Sequence, residues 1–354
     1  MSFIKNWMRA DIQSISPYIV PKANDMIKLD AMESPFSLSN DLNNKYLTLL
    51  KNTNINRYPI ADNTELKKTL SQLMNIPNDF GILLGNGSDE LIQLLCLACN
   101  PKDYILSFEP SFVMYKIIAK LTHLNYLEIN LTKNFEIDLE STLKSIKKYN
   151  PKLIFISNPN NPTGNQFKRK HIETIINSTN AMVVIDEAYY TYTDDNFLND
   201  IYKYQNLILL RTISKIGFAG LRLGLIIGSK STILELDKLR LPYNINSLTQ
   251  ISADFLLKQK DLINQNTKII NSERIKLSKE LQNIKQIKVY PSTTNFILFK
   301  TDNANQLFET LKYNKILIKN LSNNKVLKNC LRVTIGSCDE NKTFLKIVKE
   351  YYDK

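Results

Sequence analysis

The chain has 354 residues, 43% of them hydrophobic, which is enough for one large domain and a smaller one with ordinary cores and excludes extended disorder. Its net charge of +12 is spread along an Asn- and Lys-rich sequence whose densest basic piece is "KRKH" at 168–171. It lacks the aromatic-interleaved basic stripe of a nucleic-acid binder, so the charge suits small anionic ligands. No apolar run approaches the ~18 residues of a membrane span, and the four cysteines are too few and too scattered for a disulfide framework. A soluble, cytoplasmic protein with no membrane or nucleic-acid partner is expected.

From about residue 60 to 230, helical patterns such as "TELKKTLSQLM", "SDELIQLLCLAC" and "RKHIETIINST" alternate with the short runs "GILLGN", "DYILSF", "NYLEIN", "KLIFISNP", "AMVVIDEAY", "NLILLRTIS" and "LRLGLIIG". Runs of five or six mostly apolar residues are what strands covered on both faces look like. The expected fold class is therefore α/β, with a mostly parallel central sheet flanked by helices. After Pro242 the pattern becomes one long helical stretch, about 247–283, then "KVYPSTTNFILFK", "NQLFETLKY", "KILIKNL", "CLRVTIG" and "NKTFLKIVKEYY". This reads as a smaller α+β unit. A large domain over 41–245 is expected, with 1–40 and 246–354 forming the small domain and its N-terminal segment.

Four of the chain's nine glycines fall in "LLRTISKIGFAGLRLGLIIG", residues 209–228, around Lys215. A lysine among glycines at a strand end can project into a cleft, where desolvation and a nearby cation lower its pKa and make it a Schiff-base nucleophile. A surface lysine in a glycine-rich turn would look the same locally. "LLGNGSDELIQLL" ends a strand at Gly85 and opens a helix at Ser88, an arrangement that can bind phosphate. Asp89 and Glu90 stand where a dinucleotide loop would carry a third glycine. "ISNPNNPTG" offers Asn161 at a strand end, and "VVIDEAYY" ends an apolar strand on Asp186, an acid that is costly there without a positive partner. Cys96 and Cys99 lie on an apolar helix as core residues. His123 and His171 are the only histidines and neither lies in a motif, so no metal site and no Ser-His-Asp scheme is expected.

Taken together and in this order, "GNGSDE", "NPTG", "DEAY", "SKIGFAGLR" and "LRVTIG" resemble the fold type I pyridoxal-phosphate aminotransferases over about residues 17–340. With "RYPI" at 57–60 and "LPYNINSLTQ" at 241–250, the chain is most similar to the histidinol-phosphate aminotransferases. The resemblance implies that Lys215 attaches pyridoxal 5′-phosphate covalently and shuttles a proton, that Asp186 pairs with the ring N–H, and that Asn161 and Tyr189 bond the ring's phenolic oxygen. It implies that Ser88, Asp89, Ser214 and Arg222 hold the phosphate, that Phe112 in "EPSFVMY" stacks on the ring, and that Arg332 binds the substrate's anionic group. It implies that Tyr58 reaches the cofactor phosphate of a second subunit, in a homodimer with shared sites. The glycines around Lys215 are expected to clear space for the cofactor.

The implied reaction is amino exchange between L-histidinol phosphate and 2-oxoglutarate in histidine biosynthesis, by a ping-pong scheme through a pyridoxamine phosphate form. A threonine-phosphate-type decarboxylase, an aromatic amino acid aminotransferase and a non-catalytic module on the same fold are the alternatives. The sequence departs from the family at "AMESPF", 31–36, where relatives carry an "NENP"-like stretch, at Phe112, where tyrosine is common, and in the seven-residue spacing from Lys215 to Arg222.

Overall fold

The computed structural model describes residues 2–17, 19 and 21–353. Its strands are β1 Ile27–Lys28, β2 Phe80–Gly85, β3 Tyr104–Glu109, β4 Asn125–Asn130, β5 Leu153–Ser157, β6 Met182–Asp186, β7 Leu207–Thr212, β8 Gly224–Ser229, β9 Lys288–Val289, β10 Phe296–Lys300, β11 Ile316–Leu317, β12 Lys319–Asn320 and β13 Cys330–Thr334. β2 to β8 form one seven-stranded sheet in the order β2-β8-β7-β6-β5-β3-β4. β8 runs antiparallel to both its neighbours, β2 and β7, and the other pairs are parallel.

Both faces of this sheet are covered, as the unbroken apolar runs predict. Val183 and Ile185 of β6 and Leu207 and Leu209 of β7 belong to one buried cluster, whereas Val184, Ile208 and Leu210 belong to the cluster on the other face. Because side chains alternate along a strand, Asp186 follows Val184 towards the helices Ser88–Leu97 and Met114–Leu121, and Arg211 follows Leu209 to the opposite face. Arg211 is only 2% exposed and forms a 2.7 Å ion pair with the equally buried Glu187.

β9, β10, β12 and β13 form a separate four-stranded antiparallel sheet, and β1 pairs with β11. Leu29 and Met32 thereby join the core of this second unit, with Ile270, Leu277, Phe299 and Phe344. The single helical stretch expected over 247–283 is two helices, Ser247–Leu257 and Lys260–Gln282. Ala253 and Leu257 pack into the core of the large sheet, whereas Ile270, Leu277 and Leu281 pack into the second core. After the break at 258–259, Ile263 still packs in the first core and the second helix runs from there to the other. Among the described residues no helix is long and apolar enough to cross a membrane.

Candidate active site

The C-terminal ends of β2, β5, β6 and β7 lie along one edge of the large sheet, where open α/β sheets place their ligand crevices. A cleft of about 110 Å³ opens there, lined at its floor by Ser157, Asp186 and Thr212, the last residues of β5, β6 and β7. Register sets Ser157 beside Asp186 across β5 and β6, while Thr212 lies two residues beyond Leu210, the partner of Asp186 on β7. Ser88 and Asp89 enter the cleft from the N-terminus of the helix Ser88–Leu97, and Phe112 from the loop after β3. Asn161, Tyr189, Ser214, Lys215 and Arg222 complete the set. Nine of the residues singled out from sequence thus converge on one cleft.

The glycines act in different ways at different positions. Gly217 has φ 123°, a conformation that L side chains rarely adopt, and it interrupts the helical turn Ser214–Phe218 that carries Lys215. A Cβ on Gly224 would stand 2.7 Å from the backbone of Gly87 and Ser88, so its absence lets β8 meet the loop that opens the helix. A Cβ on Gly228 would press on Ile208, so that glycine serves the sheet core; a Cβ on Gly220 would meet nothing within 4 Å. The expectation that all four clear the cleft is therefore replaced by one in which Gly217 and Gly224 shape its backbone. Arg222 has φ 50°, in the left-handed region, a backbone cost typical of residues held for function. Its guanidinium is 3.7 Å from the Asp89 carboxylate.

Lys215 donates from Nζ to the backbone oxygen of Ala31 at 3.0 Å, and its own carbonyl accepts from the Tyr192 hydroxyl at 2.6 Å. Burial lowers its ammonium to about 8, and the guanidiniums of Arg332 and Arg222 act in the same direction. Asp186 is 4% exposed. Within the chain its two oxygens accept from the Tyr115 hydroxyl at 2.6 Å and the Ala188 N–H at 3.0 Å. Burial pushes its carboxyl up to about 6, opposed by those two hydrogen bonds. Burial likewise raises the Asp89 carboxyl, against the pull of Arg222 and Lys215, and holds the Tyr189 hydroxyl well above its ordinary value.

Arg332 is reached through Asn161. Its guanidinium is 7% exposed and donates to the Asn161 side-chain oxygen at 2.5 Å and to the backbone oxygen of Asp30 at 2.8 Å. The segment carrying Asp30, Ala31 and Met32 is tied to the small sheet, with Met32 N–H donating to Thr334 and Asn295 donating to the Met32 carbonyl. Tyr58 lies elsewhere, 81% exposed and stacked on Tyr243 with ring centroids 4.6 Å apart. Sequence reasoning missed Met32, Ser157, Ala188 and Thr212 in the cleft, and Tyr115 beneath it. Ser157 and Thr212 carry the same signal that marked Asp186, a polar residue closing an apolar strand.

The family model for "Aminotransferase class I and II" matches residues 24–348. The chain belongs to the class I and II aminotransferases. It is 60% identical over 352 residues, 99% of each chain, to the histidinol-phosphate aminotransferase of Vesicomyosocius okutanii subsp. Calyptogena okutanii. The crystal structure of the histidinol-phosphate aminotransferase from Clostridium acetobutylicum superimposes with a TM-score of 0.84 at 26% identity, covering 93% of this chain and 99% of that one. That from Sinorhizobium meliloti, in complex with pyridoxal-5′-phosphate, gives 0.85 at 20% identity over 98% of each. This aminotransferase is accordingly a pyridoxal-phosphate-dependent enzyme. The donor set in the cleft fits that group: an amine with a lowered pKa, a buried carboxylate, and Arg222 beside a helix N-terminus.

Proposed function

We propose that the chain exchanges an amino group between L-histidinol phosphate and 2-oxoglutarate by a ping-pong scheme, as a cytoplasmic homodimer. The observation that carries the choice of substrate is the full-length 60% identity to a relative named for histidinol phosphate. Bound pyridoxal phosphate supplies an electron sink for a carbanion at the substrate Cα and a carrier for the amino group.

Every other part of the scheme falls to the chain. Lys215, with an amine that loses its proton near pH 8, attaches the cofactor and then takes and returns the proton at the substrate Cα. Asp186 pairs with the protonated ring nitrogen, and Asn161 and Tyr189 bond the phenolic oxygen. Ser88, Asp89 and Ser214, chiefly through backbone N–H groups, hold the phosphate with Arg222, while Phe112 covers a ring face. Arg332 grips the anionic group of each substrate, its orientation set by Asn161 and the Asp30 carbonyl.

Replacing Arg332 with lysine tests this assignment. The variant keeps the charge but loses the planar fork, which a carboxylate uses more than a phosphate does. Single-turnover kcat/KM should fall about tenfold or more for glutamate, if the loss is near 1.4 kcal/mol, and less for histidinol phosphate. Equal, negligible losses would assign substrate recognition to another cation. Keto-acid dependence of product formation separates transamination from decarboxylation, which needs no second substrate.

The dimer is supported by an exposed apolar groove that brings together Ile55, Tyr58, Tyr243 and Leu248. Tyr58 is the residue we assign to the cofactor phosphate of the second subunit. Tyr58→Phe should weaken cofactor binding by about 1.5 to 3 kcal/mol, the worth of a hydrogen bond to a charged acceptor, while sedimentation still reports a dimer. An unaltered cofactor dissociation constant would remove Tyr58 from the site.

A further inference from the structure

Asp186 is held from beneath by a residue that never enters the cleft. Tyr115 is fully buried on the helix Met114–Leu121, its ring stacked on Phe155 at 4.7 Å and 9° and nearly perpendicular to that of Phe112 at 5.5 Å. This packing leaves the hydroxyl little freedom, and it points at the Asp186 carboxylate, 2.6 Å from Oδ2. We propose that Tyr115 is a positioning residue that keeps Asp186 ionised and fixes the plane of its carboxylate at the floor of the cleft. The inference deepens the site reading above, and rests on it for the consequence in turnover.

The electrostatic surroundings make such a donor necessary. Burial penalises the charged carboxylate, and Asp89 from the helix Ser88–Leu97 and Glu187 from the end of β6 add like charge. The Glu187 charge is met by Arg211 from β7, on the other face of the sheet. Tyr189, also buried and facing Asp186, stays a neutral phenol because burial raises it, and Lys215 and Arg222 line the same cleft. Hydrogen bonds to the charged form are what oppose desolvation, and the carboxylate has two, from Tyr115 and the Ala188 amide. The amide belongs to the backbone, so Tyr115 is the one of these donors that a side-chain change can remove.

Tyr115→Phe keeps the stacked ring and deletes only the hydroxyl. In the full chain freed of cofactor, carbon-13 NMR of labelled aspartate, with the Asp186 signal identified by its loss in Asp186→Asn, should show the midpoint near pH 6 move up by about one unit or more. The acid limb of kcat/KM in the loaded enzyme should move in the same direction. A midpoint unchanged in Tyr115→Phe overturns the proposal. If that variant does not fold, the wild-type protein decides. The Tyr115 Cζ signal should show an inflection at the Asp186 midpoint, and a signal that ignores that titration overturns the proposal. These readouts need no substrate, so failure of the aminotransferase reading would appear separately, as absence of cofactor attachment to Lys215.

Discussion

Lys215→Ala should lower kcat/KM by at least about 10³-fold, because a positioned general base alone is worth 10²–10⁴-fold and the variant loses cofactor attachment as well. Among the described residues the side chain it removes is the only lysine that lines the cleft, where its Nζ donates to the Ala31 carbonyl. Borohydride reduction of the wild-type holoenzyme followed by peptide mapping should place the adduct on Lys215. In the cofactor-free protein the rate of attachment should rise with pH and level off above about 8, since only the unprotonated amine attacks and burial has lowered its pKa to that value. An adduct on another lysine would refute the assignment.

Asp186→Asn should cost about 10²–10³ in kcat/KM, the usual loss when one preorganised electrostatic group is removed from a water-excluded site. The amide fits the space but carries no charge, and it sets an NH₂ group among donors: Tyr115 and the Ala188 N–H already supply protons to both carboxylate oxygens. A pH signature separates loss of charge from loss of fold. The Asp186 carboxyl titrates at about 6 in the cofactor-free chain. Wild-type cofactor affinity should therefore weaken as pH falls through 6, because protonation removes the charge that pairs with the ring nitrogen. In Asp186→Asn the affinity should be low throughout and lack that inflection. A variant that binds and turns over as the wild type does would assign the ring nitrogen another partner.

Much of this site was legible along the chain because its chemistry sits where one local pattern ends. A strand buried on both faces is mostly apolar, so the polar residue that closes "VVID" is conspicuous and "IFIS" ends in the same way, whereas in "LLRT" the ion-paired Arg211 precedes the closing threonine. The glycines around Lys215 were also visible, but their separate uses were not. The reason for Gly224 lies in Gly87 and Ser88, more than a hundred residues earlier, and that for Gly228 in the side chain of Ile208 on the neighbouring strand. The helix expected over 247–283 continues a pattern that has no proline or glycine to break it, and only the two separate cores reveal the bend.

By itself the sequence determined the α/β class and the order of the polar groups that close the buried strands, because strand periodicity and residue type are local properties that burial on both faces makes plain. Tertiary structure alone decided which partners those groups meet. Tyr115 reaches Asp186 across 71 positions, Arg332 is fixed by the carbonyl of Asp30 across 302, and Lys215 by that of Ala31 across 184. No local pattern encodes such pairs. They follow from sheet order, from the antiparallel placing of β8, and from the pairing of β1 with β11 that carries the N-terminal segment over the cleft. Within the folded chain the acid at the end of β6 meets a phenol and an amide, because those are the donors that the packing of the helix Met114–Leu121 and the turn after β6 bring within reach.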